Sequence, residues 1–325
     1  MELICPAGTP AALRAAVDAG ADAVYCGFRD ETNARNFPGL NFSREELTAG
    51  IAYAHRYGVK VLIAINTFAR AGAVNVWKRA VDVAAEAGAD ALIVADIGVL
   101  DYAALHHPGQ RLHLSVQAAA ANPDAIEFYV EEFGVRRVVL PRVLSVPEIA
   151  TITKEISCET EVFVFGGLCV MEEGRCSLSS YATGESPNMN GVCSPASHVH
   201  YREQDGHLIS RLGAFTINRF SVGEPAGYPT LCKGRFQTEH GVGYLFEDPV
   251  SLDATAMLPE LQRAGVTALK IEGRQRGRAY IERVVRSFRQ TLAGLKEDIA
   301  APANDLVALT EGQSTTAGAY RKSWR

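Results

Sequence analysis

The sequence predicts an α/β fold, a closed (β/α)8 TIM-like barrel with a cysteine-bearing insertion between its seventh and eighth strands. Three observations predict it. Short β-branched runs alternate with amphipathic helical stretches through the first half of the chain. A glycine-centred junction recurs before three of those runs: Ala19-Gly20-Ala21-Asp22-Ala23, Ala87-Gly88-Ala89-Asp90-Ala91 and Ala264-Gly265-Val266-Thr267-Ala268. A stretch rich in Gly, Ser, Pro, Asn and Cys then interrupts the alternation once.

In chain order, the expected strands are Glu2 to Cys5, Ala23 to Gly27, Val59 to Asn66, Ala91 to Asp96, Arg111 to Gln117, Arg137 to Leu140 and Glu161 to Gly166. Apolar residues recur at helical spacing in Pro10 to Ala19, Arg44 to Tyr57, Val74 to Ala87, Pro123 to Phe133 and Val146 to Glu155. Each junction glycine suits a left-handed helix stop placed directly before a strand. The third junction predicts an eighth strand, Ala268 to Glu272, and Gly277 to Leu292 predicts the helix that completes the ring. An open doubly wound sheet would have fewer parallel strands, so the closed barrel is preferred. The chain therefore reads as one domain over 1–325, with an insertion over 167–251 and a C-terminal tail over 295–325.

The 325 residues are 47% hydrophobic, enough for a large core, and contain no low-complexity tract that would argue for disorder. A formal net charge of -5 supplies no general attraction for nucleic acid, so no nucleic-acid partner is expected. The opening Met1-Glu2-Leu3-Ile4-Cys5 lacks the basic flank and apolar core of a secretory leader. No apolar run approaches the roughly 20 residues of a membrane helix. The expectation is a cytoplasmic protein that is not integral to a membrane.

Without a secretion signal, seven cysteines do not read as a disulfide framework. Cys5, Cys26 and Cys158 lie in or beside apolar segments and read as small core residues. Cys169, Cys176, Cys193 and Cys232 instead follow the seventh strand in loop-like sequence, separated by six, sixteen and thirty-eight residues. Four thiolates are the number that a four-iron cluster takes, and Gly166-Gly167, Gly174, Gly191 and Pro195 let backbone wrap closely around a cofactor. The spacing fits neither ferredoxin nor paired-CxxC patterns, so an iron-sulfur cluster, a structural zinc and unrelated thiols all stay open at this point. His198, His200 and His207 read as exposed loop residues.

Barrel enzymes place their chemistry where strands end and βα loops converge. That rule selects Cys5-Pro6-Ala7-Gly8, Gly27, Asn66, Asp96, Gln117, Pro141-Arg142, Gly166 to Cys169 and Glu272-Gly273-Arg274. The run Lys270 to Arg276 ends the eighth strand with Glu272, Arg274 and Arg276, which reads either as an anion site or as an ion pair bracing the rim. The loop from Asn33 through Arg35 to Phe42 reads as a cover for a ligand or as an ordinary structured loop. Neither GxSxG nor HExxH occurs, and no GxGxxG or Walker motif supports a nucleotide.

Leu3 to Gly8, Gly20 to Tyr25, Asn33-Ala34-Arg35 and Ala64 to Phe68 resemble the collagenase-like peptidase family of unknown catalytic type. Gly184 to Asn188, Gly227 to Arg235, Lys270 to Arg276 and Glu311 to Tyr320 resemble its ubiquinone-biosynthesis branch. This resemblance implies that Cys169, Cys176, Cys193 and Cys232 hold a 4Fe-4S cluster. It implies a heterodimer with a paralogous cluster protein, UbiV, that hydroxylates the aromatic ring of prenylated quinone precursors without molecular oxygen. Other relatives hydroxylate RNA uridines, drawing on the dicarboxylate prephenate, an anion that Arg35, Arg274 and Arg276 would suit. Two readings stand beside this one: a structural or electron-transfer subunit whose partner does the chemistry, and RNA hydroxylation. Asn33, Asn66, Gln117 and Glu272 complete the expected substrate-binding set, and no constellation in the sequence supports proteolysis.

Overall fold

The computed structural model describes residues 1–169, 176–297, 306–310 and 314–321. About half of the tail expected over 295–325, including Glu311-Gly312-Gln313, falls outside them, as do positions 170–175 of the insertion.

Strand β1 (Glu2–Pro6) leads into α1 (Pro10–Asp18), where the Thr9 hydroxyl accepts from the Ala12 amide at 3.2 Å and Pro10 opens the first turn. After β2 (Ala23–Gly27) and a long loop, a reciprocal Ser43/Glu46 capping box starts α2 (Arg44–Arg56). The unit repeats as β3 (Lys60–Ile65) and α3 (Asn75–Glu86), then β4 (Ala91–Val94) and α4 (Ile97–His106). It continues as β5 (Leu112–Leu114) and α5 (Pro123–Phe133), then β6 (Val135–Val139) and α6 (Val146–Glu155), and reaches β7 (Glu159–Gly167).

The chain then leaves the ring. It forms α7 (Leu178–Thr183), α8 (Pro187–Asn190), an antiparallel sheet of β8 (Val199–Gln204), β9 (His207–Leu212) and β10 (Phe215–Phe220), and a hairpin of β11 (Arg235–Thr238) and β12 (Gly241–Tyr244). Leu212, Ile217, Leu231 and Ala182 give this region a small apolar core of its own. Return is through β13 (Ser251–Asp253), α9 (Leu258–Arg263), β14 (Ala268–Ile271) and α10 (Arg278–Lys296).

Strand β14 pairs in parallel with both β1 and β7, closing eight parallel strands into a barrel; Leu269 lies opposite Leu3 and Val162. Gly20, Gly88 and Gly265 adopt φ of +98°, +84° and +87°, the left-handed stop that their junctions predict. The fifth strand is shorter than expected. It ends at Leu114, and Val116–Ala118 forms a 3-10 turn because the Ser115 hydroxyl accepts from the Gln117 amide at 3.3 Å. A further departure is β13, which pairs antiparallel with the end of β7 and itself carries β15 (Thr315–Thr316).

The main core lies between strands and helices and includes Trp77, whose indole nitrogen donates to the Thr67 hydroxyl at 3.1 Å. Inside the barrel, Ile4, Tyr25, Leu62, Ile93 and Ala268 pack on one side. On the other, Arg137 reaches Glu2 at 2.6 Å, Glu159 at 2.5 Å and Glu161 at 3.3 Å, while Lys270 meets Glu161 at 2.5 Å. Arg137, Glu161 and Lys270, the buried members of this set, need the pairing because an isolated buried charge is too costly to keep.

Two glycines separate backbone strain from collision. A β-carbon at Gly88 meets open space, so Gly88→Ala costs only the left-handed strain, about 1 kcal/mol. At Gly166, φ is +111° and a β-carbon would stand 2.4 Å from the Glu272 carbonyl oxygen. Gly166→Ala is therefore expected to cost at least about 3 kcal/mol in urea unfolding, and equal costs for the two variants would contradict the close approach of β7 to β14.

Candidate functional site

At the C-terminal ends of the strands lies a pocket of about 410 Å³ of empty space, part of it open to solvent. Its polar lining comes from Arg35, Asn66, Gln117, Arg142, Glu272 and Arg274, with Tyr25, Ser115 and Lys270 among them. Glu272 is the centre. Arg35 Nε donates to its carboxylate at 3.0 Å and Arg142 Nη2 stands 4.0 Å away, while the Tyr25 hydroxyl donates to the Ile271 carbonyl at 2.8 Å beside it. Burial would raise the Glu272 pKa, but Arg35, Arg142 and Arg274 together hold it down at about 2.

Asn33 explains how a mobile type of side chain such as arginine is fixed here. Fully buried, its Oδ1 accepts from the Arg35 amide at 2.9 Å and from Arg274 Nη1 at 3.1 Å, while its Nδ2 donates to the Phe28 carbonyl. One amide thus ties the loop after β2 to the loop after β14. Asn66 performs a similar join, accepting from the Ala34 amide at 2.9 Å and donating to Ser115 at 3.2 Å. Among the described residues, the Nε of Arg274, buried at 3% exposure, has no hydrogen-bond partner. Three guanidiniums against one carboxylate leave the mouth with an excess of positive charge suited to an anionic ligand.

Of the residues selected from sequence, Arg35, Asn66, Gln117, Glu272 and Arg274 line this pocket. Asn33 lies behind it. Arg276 is turned away, its guanidinium over the Tyr280 ring at 5.3 Å, because the turn closed by the Arg276 amide on the Gly273 carbonyl redirects the chain. Tyr25 and Lys270 escaped selection as site residues because both sit within strands, where sequence shows only an inward-facing position. Arg142 was visible through its place at a strand end.

None of the seven cysteines is in a disulfide. Cys5 and Cys26 are buried, and desolvation raises the Cys26 thiol to about 12. Cys158 is half-buried. Three of the other four, Cys176, Cys193 and Cys232, lie on segments that meet α7. Ser180 donates to the Cys176 carbonyl at 3.4 Å, Ser179 donates to the Cys193 carbonyl, and the turn Leu231–Lys233 that bears Cys232 packs on the same helix. Gly191 presses so closely on the Asn33 carbonyl, 2.3 Å from a would-be β-carbon, that the segment leading to Cys193 rests on the loop bearing Arg35.

Electrostatics links the set. Surrounding protein raises the Cys193 thiol although the residue stays accessible to solvent; Arg35 opposes the rise and Cys176 adds to it. Desolvation pushes Cys232 up to about 12, eased by the Thr230 hydroxyl and reinforced by Cys169 and Cys193. The charge of Arg35, sustained first by Glu272 against burial, is strengthened by Cys193 and Cys169. Cys176 acts on Cys193, Cys169 and Cys193 act on Cys232, and Cys193 and Cys169 reach the pocket through Arg35. Among the described residues, no three His, Cys, Asp or Glu side chains already stand at metal-binding spacing. The donor type and the neighbourhood fit a thiolate-bound cluster, while the spacing of a loaded site is not preformed.

The pattern of Peptidase family U32 matches residues 8–315. The chain is 34% identical over 313 residues to the tRNA hydroxylation protein P of Escherichia coli (strain K12), covering 90% of this chain and 67% of that protein. It is 31% identical over 316 residues to the protein of that name from Haemophilus influenzae, covering 90% and 67%. It is 30% identical over 301 residues to the Escherichia coli 23S rRNA 5-hydroxycytidine C2501 synthase, covering 92% and 40%. The chain thus spans about two thirds of the length of the first two and less than half of the third. Among the described residues, no helix is long and apolar enough to cross a membrane.

A carboxylate whose folded pKa lies below its ordinary 4.5 stabilises the fold fully above that value and loses the contribution as pH falls toward about 2. Glu272→Gln is accordingly expected to unfold about 3 kcal/mol more easily than the unaltered protein near pH 7, with the gap shrinking by about pH 3. Urea titrations at both pH values measure it, and a gap independent of pH would show that the carboxylate is not the ionised hub.

Proposed function

The chain belongs to Peptidase family U32, and we propose that it is the iron-sulfur subunit of an oxygen-independent hydroxylase, with Cys169, Cys176, Cys193 and Cys232 holding a 4Fe-4S cluster. The single observation that carries this reading is the position of Arg35, which lines the barrel pocket and also shares charge with Cys193 and Cys169. A thiolate set and an anion pocket with a side chain in common are what a redox centre working on a bound ligand requires.

Bound there, a four-iron cluster would supply one-electron transfer at the barrel mouth. The chain's own residues do the rest. Arg35, Arg142 and Arg274 receive the carboxylates of a hydroxyl donor such as prephenate, and Glu272 and Asn33 fix the guanidiniums so that little order is lost on binding. Phe163, Ile93 and Val139 supply apolar walls against which a ring would pack. Among the lining residues there is no Ser-His or Cys-His pair, so the peptidase in the family's name receives no support from this pocket.

For the substrate, we favour the aromatic ring of prenylated quinone precursors, in a heterodimer with UbiV, as in the family's ubiquinone-biosynthesis protein UbiU. The sequence runs Gly184 to Asn188 and Gly227 to Arg235, together with the net charge of -5, support that choice. A second reading, hydroxylation of an RNA base, is favoured by the names of the relatives above. A third leaves the cluster structural or electron-transferring, with chemistry on the partner.

Cys193→Ala, purified without oxygen, is expected to lose the brown colour and bound iron of the unaltered chain. In cells grown without oxygen, the same variant should fail to restore ubiquinone to a deletion strain, and its tRNA and rRNA should keep their hydroxylated bases. Loss of hydroxylated RNA bases with normal ubiquinone selects the RNA reading, and loss of neither rejects the hydroxylase. Arg274→Lys, which keeps the charge but not the planar fork, should weaken prephenate binding about tenfold by calorimetry.

A further inference from the structure

Lys270 lies on β14 two residues before Glu272, on the same inward face and one layer deeper in the barrel. It is 5% exposed and lines the pocket below the three guanidiniums. Its ammonium stands 2.5 Å from Glu161 Oε1 and 3.9 Å from the centre of the Tyr25 ring. Glu161, Tyr25, Arg274 and Glu272 act on it, His113 and Cys5 lie within its electrostatic reach, and Arg137 stands on the far side of Glu161.

Arg35, Arg142 and Arg274 already provide the positive charge that an anion needs, and a guanidinium does not give up its proton. A fourth buried cation adds attraction at a high desolvation cost, since a compact ammonium is more strongly hydrated than a guanidinium. What an amine offers, and the guanidiniums do not, is nucleophilicity once its proton is removed. Burial lowers the proton affinity of Lys270; Glu161 opposes that and Arg274 adds to it. Glu161 is also placed to take the proton.

We propose that Lys270 forms a reversible imine with the carbonyl of a 2-oxo carboxylate whose carboxylate is held by Arg35, Arg142 and Arg274. Glu161 accepts a proton from the ammonium, and the freed nitrogen pair bonds to the carbonyl carbon as the C=O π pair moves to oxygen. The attacking nitrogen passes a second proton to that oxygen. Glu161 returns its proton to the resulting hydroxyl, which leaves as water while the nitrogen pair closes the C=N bond. Ammonium and ketone become iminium and water, so no oxidant or reductant is consumed. The inference rests on the barrel mouth as an anion site and is independent of the cluster.

The test treats the purified full chain with pyruvate or phenylpyruvate in the presence of sodium cyanoborohydride, followed by peptide mass mapping. The expected result is a reduced adduct concentrated on residue 270, absent when lactate replaces the 2-oxo acid. Lys270→Arg, which keeps a cation opposite Glu161, should lose it. An unlabelled chain, or label spread over exposed lysines, overturns the proposal. So does a persisting adduct in Lys270→Arg. The map of the unaltered chain decides by itself, so the outcome does not depend on the variant's folding. Because the assay needs neither cluster nor hydroxylation, its failure leaves the hydroxylase reading standing, and failure of the Cys193→Ala test leaves this one.

Discussion

Glu272 gathers guanidiniums from three separate loops around a carboxylate that is itself almost fully buried. Arg35 arrives from the loop after β2, Arg142 from the end of β6, and Arg274 from the turn that follows Glu272. Removed from water and unpaired, these cations would repel one another at a cost of several kcal/mol. The carboxylate makes their assembly tolerable, and a surplus of positive charge remains at the mouth. Asn33 then converts electrostatic attraction into geometry by bonding to two of the three segments at once.

A second charged layer runs beneath the first. Lys270, Glu161, Arg137, Glu159 and Glu2 continue from the pocket toward the N-terminal rim of the barrel. Such a network contributes little stability beyond what an apolar filling would give. It shares the barrel interior with Ile4, Leu62 and Ile93, and Lys270 joins it to the pocket. The thiol-bearing region is added from outside, through Gly191 against Asn33 and through the Phe68 amide, which donates to the Asn188 carbonyl at 3.1 Å. Both joins connect the excursion after β7 to the loops that follow β2 and β3. Cys193 and Cys169 thereby come within electrostatic reach of Arg35, which lines the pocket.

Much of the architecture was legible before any coordinates. The glycine junctions predicted left-handed stops, since only local backbone strain is at issue there, and Gly20, Gly88 and Gly265 all adopt them. Asn66, Gln117, Arg142, Glu272 and Arg274, which line the pocket, were selected by the rule that barrel chemistry gathers at strand ends, and Arg35 by the polar loop that follows the second strand. Gln117 was nevertheless placed in a strand, because Ser115 caps a turn that the apolar run conceals. Arg276 was included for its charge, and one turn's hydrogen bond points it elsewhere. Tyr25 and Lys270 were missed because a polar residue within an inward-facing strand looks the same in sequence whether it meets a ligand or a partner.

By itself, then, the chain determined its alternation of strands and helices, its turns, and the residue types available for binding anions and metal. These follow from local backbone preferences and from the periodicity with which apolar side chains recur. Only the tertiary structure decided which of those residues meet. Arg35 and Glu272 are 237 positions apart and Tyr25 and Ile271 are 246 apart, and neither pair exists until β14 slides between β1 and β7. The physical reason is that a buried ion pair is a property of closure: the charges acquire their partners, and the pocket its sign, when the barrel excludes water from both at once.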